Sequence, residues 1–180
     1  MSQTPVRWPP SGLVSIRNQL DQLAAAVENP PSGWGDDERT WIPRFLVVRS
    51  CGYLEQVVIE VFQAYVRAKS HGLVRSFAIS HMAYFPNPSP GNLSSLVGRL
   101  DSGMAEEFDT FLNKDDEYLF RELSALVDKR HRIAHGLNEG VNRNRAVSHY
   151  QAACEIAEWF IAKFDPREGV QARLRARAGA

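Results

Sequence analysis

Apolar residues recur along most of this chain at steps of three and four, the spacing that lines one face of an α-helix. The first run holds Leu13, Ile16, Leu20, Leu23 and Val27, with Ser11 placed to cap it, and Asn29-Pro30-Pro31-Ser32-Gly33 ends it. A longer run extends from about Asp37 toward Lys69 and puts Trp41, Phe45, Leu54, Val58, Val61, Phe62 and Tyr65 in the expected core. Pro43 fits only the first turns of a helix, which draws the expected start toward Trp41.

Residues 70–102 are less regular. Phe77 to Phe85 reads as a short helix, Pro86 to Gly91 as loop, and Asn92 as the cap of a helix through Leu100. Met104 to Leu112 reads as another helix. Asp115-Asp116-Glu117 then supplies an acidic first turn for a helix that runs to about His135 and stops at Gly136. The last run starts near Asn144 and ends at Asp165-Pro166. Its Val147, Tyr150, Ala153, Cys154, Ala157, Phe160, Ile161 and Phe164 share one face. No alternating strand pattern and no internal repeat is visible. The pattern predicts an all-α bundle with an extra N-terminal helix and an irregular middle segment. Residues 1–36 form the helix and linker, 37–166 the helical domain and 167–180 a basic, flexible tail.

Charge changes the picture locally rather than globally. The formal net charge is +0, so no overall field draws the chain to nucleic acid or membrane. Residues 101–122 are acidic, whereas Lys129, Arg130, Arg132, Arg143 and Arg145 face Glu139 alone over 129–145. Arg173, Arg175 and Arg177 alternate in the tail and read as a solvated end. Cys51 and Cys154 fall in apolar helical stretches, which suits buried, reduced thiols. No signal-peptide pattern or apolar run of spanning length is present, and the expected location is cytoplasmic.

The chemistry concentrates in Arg130-His131-Arg132-Ile133-Ala134-His135-Gly136. On a wheel at about 100° per residue, Leu119, Leu123, Leu126, Val127, Ile133 and Ala134 form one arc, and Arg130 lies near its middle. A guanidinium there must be paired internally, or the stripe must open onto a groove or a subunit interface. Arg130 and His135 are five residues apart and splay by roughly 140°. They converge if the last turn unwinds before Gly136, or if two copies of the chain face each other. A second copy is the simpler solution, and it predicts a homodimer. Arginine and histidine together suit metal-free RNA cleavage. A histidine handles the proton of the 2′-hydroxyl or of the leaving 5′-oxygen, and a bidentate guanidinium stabilises the phosphorane-like charge. The negative end of the helix dipole opposes an anion there, so the neighbouring cations must outweigh it.

Residues 126–136 resemble the signature of HEPN domains (higher eukaryotes and prokaryotes nucleotide-binding), an Arg, a polar residue, a few positions and a His, often continued as Ala-His-Gly. Tyr53-Leu54-Glu55-Gln56 in a long helix, the irregular middle and the closing helix resemble the rest of that layout over about residues 38–165. The nearest likeness is to the small RiboL-PSP and MAE groups. The resemblance implies an all-α HEPN-like bundle, dimerisation that joins two motifs in one cleft, and metal-independent endoribonuclease activity in a prokaryotic toxin or defence effector. It makes Arg130 the holder of the scissile phosphate, His135 the acid/base, and His131 the residue that orients them. HEPN toxins silenced by AMP addition carry a Tyr two residues after the His; Leu137 stands there, which argues against that control.

His131 and His135 are also spaced to chelate a metal, but Arg132 replaces the glutamate of the helical metalloprotease motif and the flanking arginines repel a dication. No metal and no cofactor is expected. Glu55 is a candidate to orient Arg130, and Lys129 and Arg132 are candidates to contact RNA. His71, His81 and His149 read as loop or surface residues, and Trp8, Trp34, Trp41 and Trp159 as packing residues. The expected partners are an RNA substrate, a second copy, and an antitoxin or larger defence complex, with no membrane. The competing reading is a non-catalytic dimeric module that binds RNA or protein.

Overall fold

The structure is a computed structural model that describes residues 7–82, 84–137 and 140–167. The alternating Arg173, Arg175 and Arg177 lie outside the described residues. Those described form seven helices and no strand: α1 (Ser11–Glu28), α2 (Asp36–Lys69), α3 (Gly72–Met82), α4 (Pro90–Gly98), α5 (Ser102–Leu112), α6 (Lys114–Ala134) and α7 (Arg143–Lys163). The all-α expectation holds.

The long α2 is the spine, and α1, α3, α6 and α7 all pack on it. Leu46, Val47, Leu54, Val57, Val58 and Val61 are fully buried along its inner face. Phe62 meets Phe164 at 4.6 Å between ring centroids, and Phe108 meets Trp159 at 4.7 Å, so one end of the core is aromatic. Each such pair adds about 0.5–1.5 kcal/mol beyond its buried area. The N-terminal helix joins the same core through Leu13, Leu20, Ala24 and Val27. Arg17 and Asp21 of α1 then bind Glu158 and Tyr150 of α7 at 3.1 and 2.6 Å. No helix of the described residues is long and apolar enough to cross a membrane.

Several local expectations give way. Pro10, not Ser11, caps α1, with its carbonyl accepting from Leu13 and Val14. The spine starts at Asp36, where Glu38 Oε2 accepts from the Gly35 N–H at 3.0 Å, so Pro43 lies a full turn deeper than expected. Trp41 and Phe45 are 60% and 54% exposed, because the buried stripe there runs through Pro43, Leu46, Val47 and Ser50 instead. The short helices begin earlier than expected: α3 at Gly72, and α4 at Pro90, where Ser89 is the cap and Asn92 donates to it. Asp101 caps α5, and Asn142 caps α7. Asp115, Asp116 and Glu117 do not form an ordinary acidic first turn. Their φ values of 52°, 56° and 61° make a left-handed turn before the regular helix.

His149 is 1% exposed, not a surface residue. The apolar period of α7 carries it into the core opposite Glu122, itself 5% exposed on α6. His149 Nδ1 lies 2.8 Å from Glu122 Oε2, off the line of a well-formed hydrogen bond. Arg145 donates to Glu122 Oε1 at 3.0 Å. Burial pushes the imidazole below its ordinary value of 6.5; Glu122 opposes this, and Arg145 and Lys129 add to it. The unfolded chain therefore takes up the proton more readily than the fold does, and stability is lost as pH falls below about 6.5. The urea midpoint is expected to drop between pH 7.5 and 5 by more in wild type than in His149→Gln. Parallel pH profiles would refute this.

Candidate functional site

The last turn of α6 stays helical to its end. His135 N–H bonds to the His131 carbonyl at 3.1 Å, and Gly136, at φ +71°, turns the chain out. Gly136 N–H then bonds to Ile133 O and Leu137 N–H to Arg132 O, both at 3.0 Å. This double closure satisfies carbonyls that would otherwise end unpaired, and it needs the positive φ that glycine adopts without strain. The helix does not unwind to bring Arg130 and His135 together.

The two residues accordingly lie on different sides. Leu119, Leu123 and Leu126 are buried, but toward the C-terminus Ile133 is only half-buried and Ala134 is exposed, so the apolar stripe opens. Arg130 is half-buried where it opens, and its charge is felt at Cys51 of α2. Its field lowers the Cys51 thiol and that of Glu55 raises it. Arg130 and Glu55 thus share one neighbourhood, yet no hydrogen bond or ion pair joins them among the described residues. His131 and His135 are exposed, with ring centroids 4.3 Å apart. Arg132 is exposed beside them and Lys129 half-buried.

Other chemistries fit less well. Burial pushes the Cys51 thiol up to about 11 and that of Cys154 up to about 12, so neither is a thiolate nucleophile near neutral pH. Both are free and buried, as the sequence suggested. Among the described residues no group of three His, Cys, Asp or Glu side chains is placed to hold a metal ion.

One part of the surroundings was misread in the sequence. The chain after α6 returns to the start of α2, where Val141 and Asn142 border a cleft of about 400 Å³ with Arg39, Thr40 and Arg44. On the α2 wheel, Trp41, Val48, Gly52 and Ile59 fall within about 40°, between the exposed Phe45 and the half-buried Glu55. This strip borders the side of α2 that carries Glu55 and Cys51, where the charge of Arg130 is felt. Arg44 sits over the Trp41 ring at 4.7 Å. A Cβ added at Gly52 would meet nothing within 4 Å. Trp41, Phe45 and Gly52 could have been found from their wheel position opposite Val47, Leu54 and Val58.

A spine helix flanked by a helix ending in Arg-His-Arg-Ile-Ala-His-Gly is the arrangement of a HEPN domain. A family model described as RiboL-PSP-HEPN matches residues 12–164, and the chain belongs to that family. The match starts inside α1 and so takes in the first helix. No curated protein and no solved structure matches the chain. HEPN domains are often RNases, and membership makes this chain a nuclease- or RNA-related module.

Proposed function

We propose that the protein is a metal-independent endoribonuclease, acting as a prokaryotic toxin or defence effector, whose active site is completed across a homodimer. The observation that carries this reading is the intact last turn of α6. Arg130 has no hydrogen bond or ion pair among the described residues, while the His131–His135 pair faces another direction on the same closed helix end. One chain thus presents the parts of a phosphodiester site without bringing them together. A two-fold axis beside the Trp41–Gly52 strip sets one chain's Arg130 toward the partner's histidines.

In that cleft the guanidinium of Arg130 grips two non-bridging oxygens of the scissile phosphate. An imidazole accepts the 2′-hydroxyl proton as the 2′-oxygen bonds to phosphorus. The bond from phosphorus to the 5′-oxygen breaks, and that oxygen takes a proton from the imidazolium acid. The products are a 2′,3′-cyclic phosphate and a 5′-hydroxyl end. His135 is assigned the proton transfers, and His131, in ring contact with it, orients the pair. Lys129 and Arg132 hold flanking phosphates against the unfavourable field of the helix end. Glu55 limits how far Arg130 can swing.

The test is purified protein incubated with total RNA and a tRNA pool in EDTA. Cleavage with cyclic-phosphate ends is the expected result. Intact RNA under every condition would move the protein to the non-catalytic dimeric module, and cleavage abolished by EDTA would point to a metal.

A further inference from the structure

A second surface lies at the other end of the spine. The helices α3 and α4 do not pack on one another; each leans elsewhere and leaves a groove over the C-terminal half of α2. The groove holds about 410 Å³, with Val66 as floor, Phe77 and Met82 on one wall, and Leu96 and Leu100 on the other. Its apolar wall continues past the cavity. Leu73, Val74 and Phe77 are 89%, 68% and 74% exposed, so the stripe follows all of α3, about 16 Å for its 11 residues. That length exceeds what a small ligand covers and suits a docked helix.

The charges around it are one-sided. Between Glu60 and Asp101 the sequence contains no acid, but it contains Arg67, Lys69, Arg75 and Arg99. Among the described residues none of the four pairs with an acid. Arg67 donates to Gln63, Lys69 stands over the Tyr65 ring, Arg75 bonds the Ser70 carbonyl and His71, and Arg99 bonds His81. Charge complementarity therefore calls for an acidic occupant, and the aliphatic floor calls for side chains that fill it. RNA would supply the charge but leave Val66, Met82 and Leu96 without apolar partners. A membrane would meet the exposed Leu73, Val74 and Phe77 but could not fill the concavity over Val66, Met82 and Leu96.

From these features we propose that the α3–α4 groove docks an acidic amphipathic helix of a partner protein. The inference stands independently of RNA cleavage. The probe is a synthetic helix of about 14 residues with Leu or Phe at steps of three and four and Glu elsewhere. Its Lys counterpart, poly(U) and anionic phosphatidylglycerol vesicles serve as comparators, all titrated against the full chain. The acidic helix is expected to bind at least about 10-fold more tightly than the basic one, and to weaken as salt rises. Phe77→Asp should abolish binding, and Arg75→Glu with Arg99→Glu should reverse the charge preference. All three side chains reach the surface, and an unchanged thermal melt checks the fold. Equal binding of both peptides, no binding, or tighter binding of poly(U) or vesicles overturns the proposal.

Discussion

Arg130→Ala and His135→Ala are each expected to lower RNA cleavage by at least about 100-fold, the scale of losing one phosphate clamp or one acid/base group. Neither substitution should unfold the protein, because Arg130 lies where the apolar stripe of α6 has opened, His135 is exposed on another side, and neither is hydrogen-bonded into the core among the described residues. A mixture of the two variants separates this reading from a one-chain site. If Arg130 of one copy serves His135 of the other, each mixed dimer holds one doubly disabled site and one intact site. Random exchange then returns about a quarter of wild-type activity, since half the dimers are mixed and each keeps one of two sites. A one-chain site returns none. Full activity in the double variant would exclude the motif from the chemistry altogether.

Gly52→Arg is expected to stabilise the monomer and silence the protein together. Glycine inside a helix costs about 0.5–1 kcal/mol relative to most residues, and a side chain at 52 enters open space. Unfolding measured at a dilution where wild type is also monomeric should therefore shift toward greater stability. The same arginine, among Trp41, Val48 and Ile59, would hold two spine helices apart and place two like charges across the axis. Sedimentation at micromolar concentration should show a dimer for wild type and a monomer for the variant, with cleavage lost alongside. Trp41→Glu should repeat the loss of dimer without the gain in stability. A Gly52→Arg protein that still dimerises would move the interface off this strip.

Much of the fold was legible because periodicity and breakers agreed. The runs around Leu20, Leu54, Leu123 and Phe160 gave four helices that the structure retains. Errors arose where one residue answered to two rules. Trp41 and Phe45 are apolar and helically spaced, so they read as core; only the register of the whole of α2 shows that Leu46 and Val47 take the inside. His149 is polar and read as surface, yet an apolar face carries it inward to Glu122, a pairing across 27 residues that no local pattern reveals. The acids at 115–117 suit a helix start, but the backbone makes a left-handed turn there. At the site, the wheel placed Arg130 in the stripe and required either an internal partner or an opening there, and the structure shows the opening. The approach of Arg130 to Cys51 and Glu55 was not readable, because that depends on how α6 lies on α2.

The closed end of α6 carries a consequence for dose. With Arg130 and His135 fixed on opposite sides of an intact last turn, a single chain on the proposed reading has no working site. Catalytic sites then form by collision of two chains, and at concentrations well below the dimer dissociation constant their number rises as the square of the protein present. A tenfold fall in expression cuts activity about a hundredfold in that regime, whereas a one-chain enzyme would lose only tenfold. On that reading, activity at low expression would be suppressed by reaction order alone.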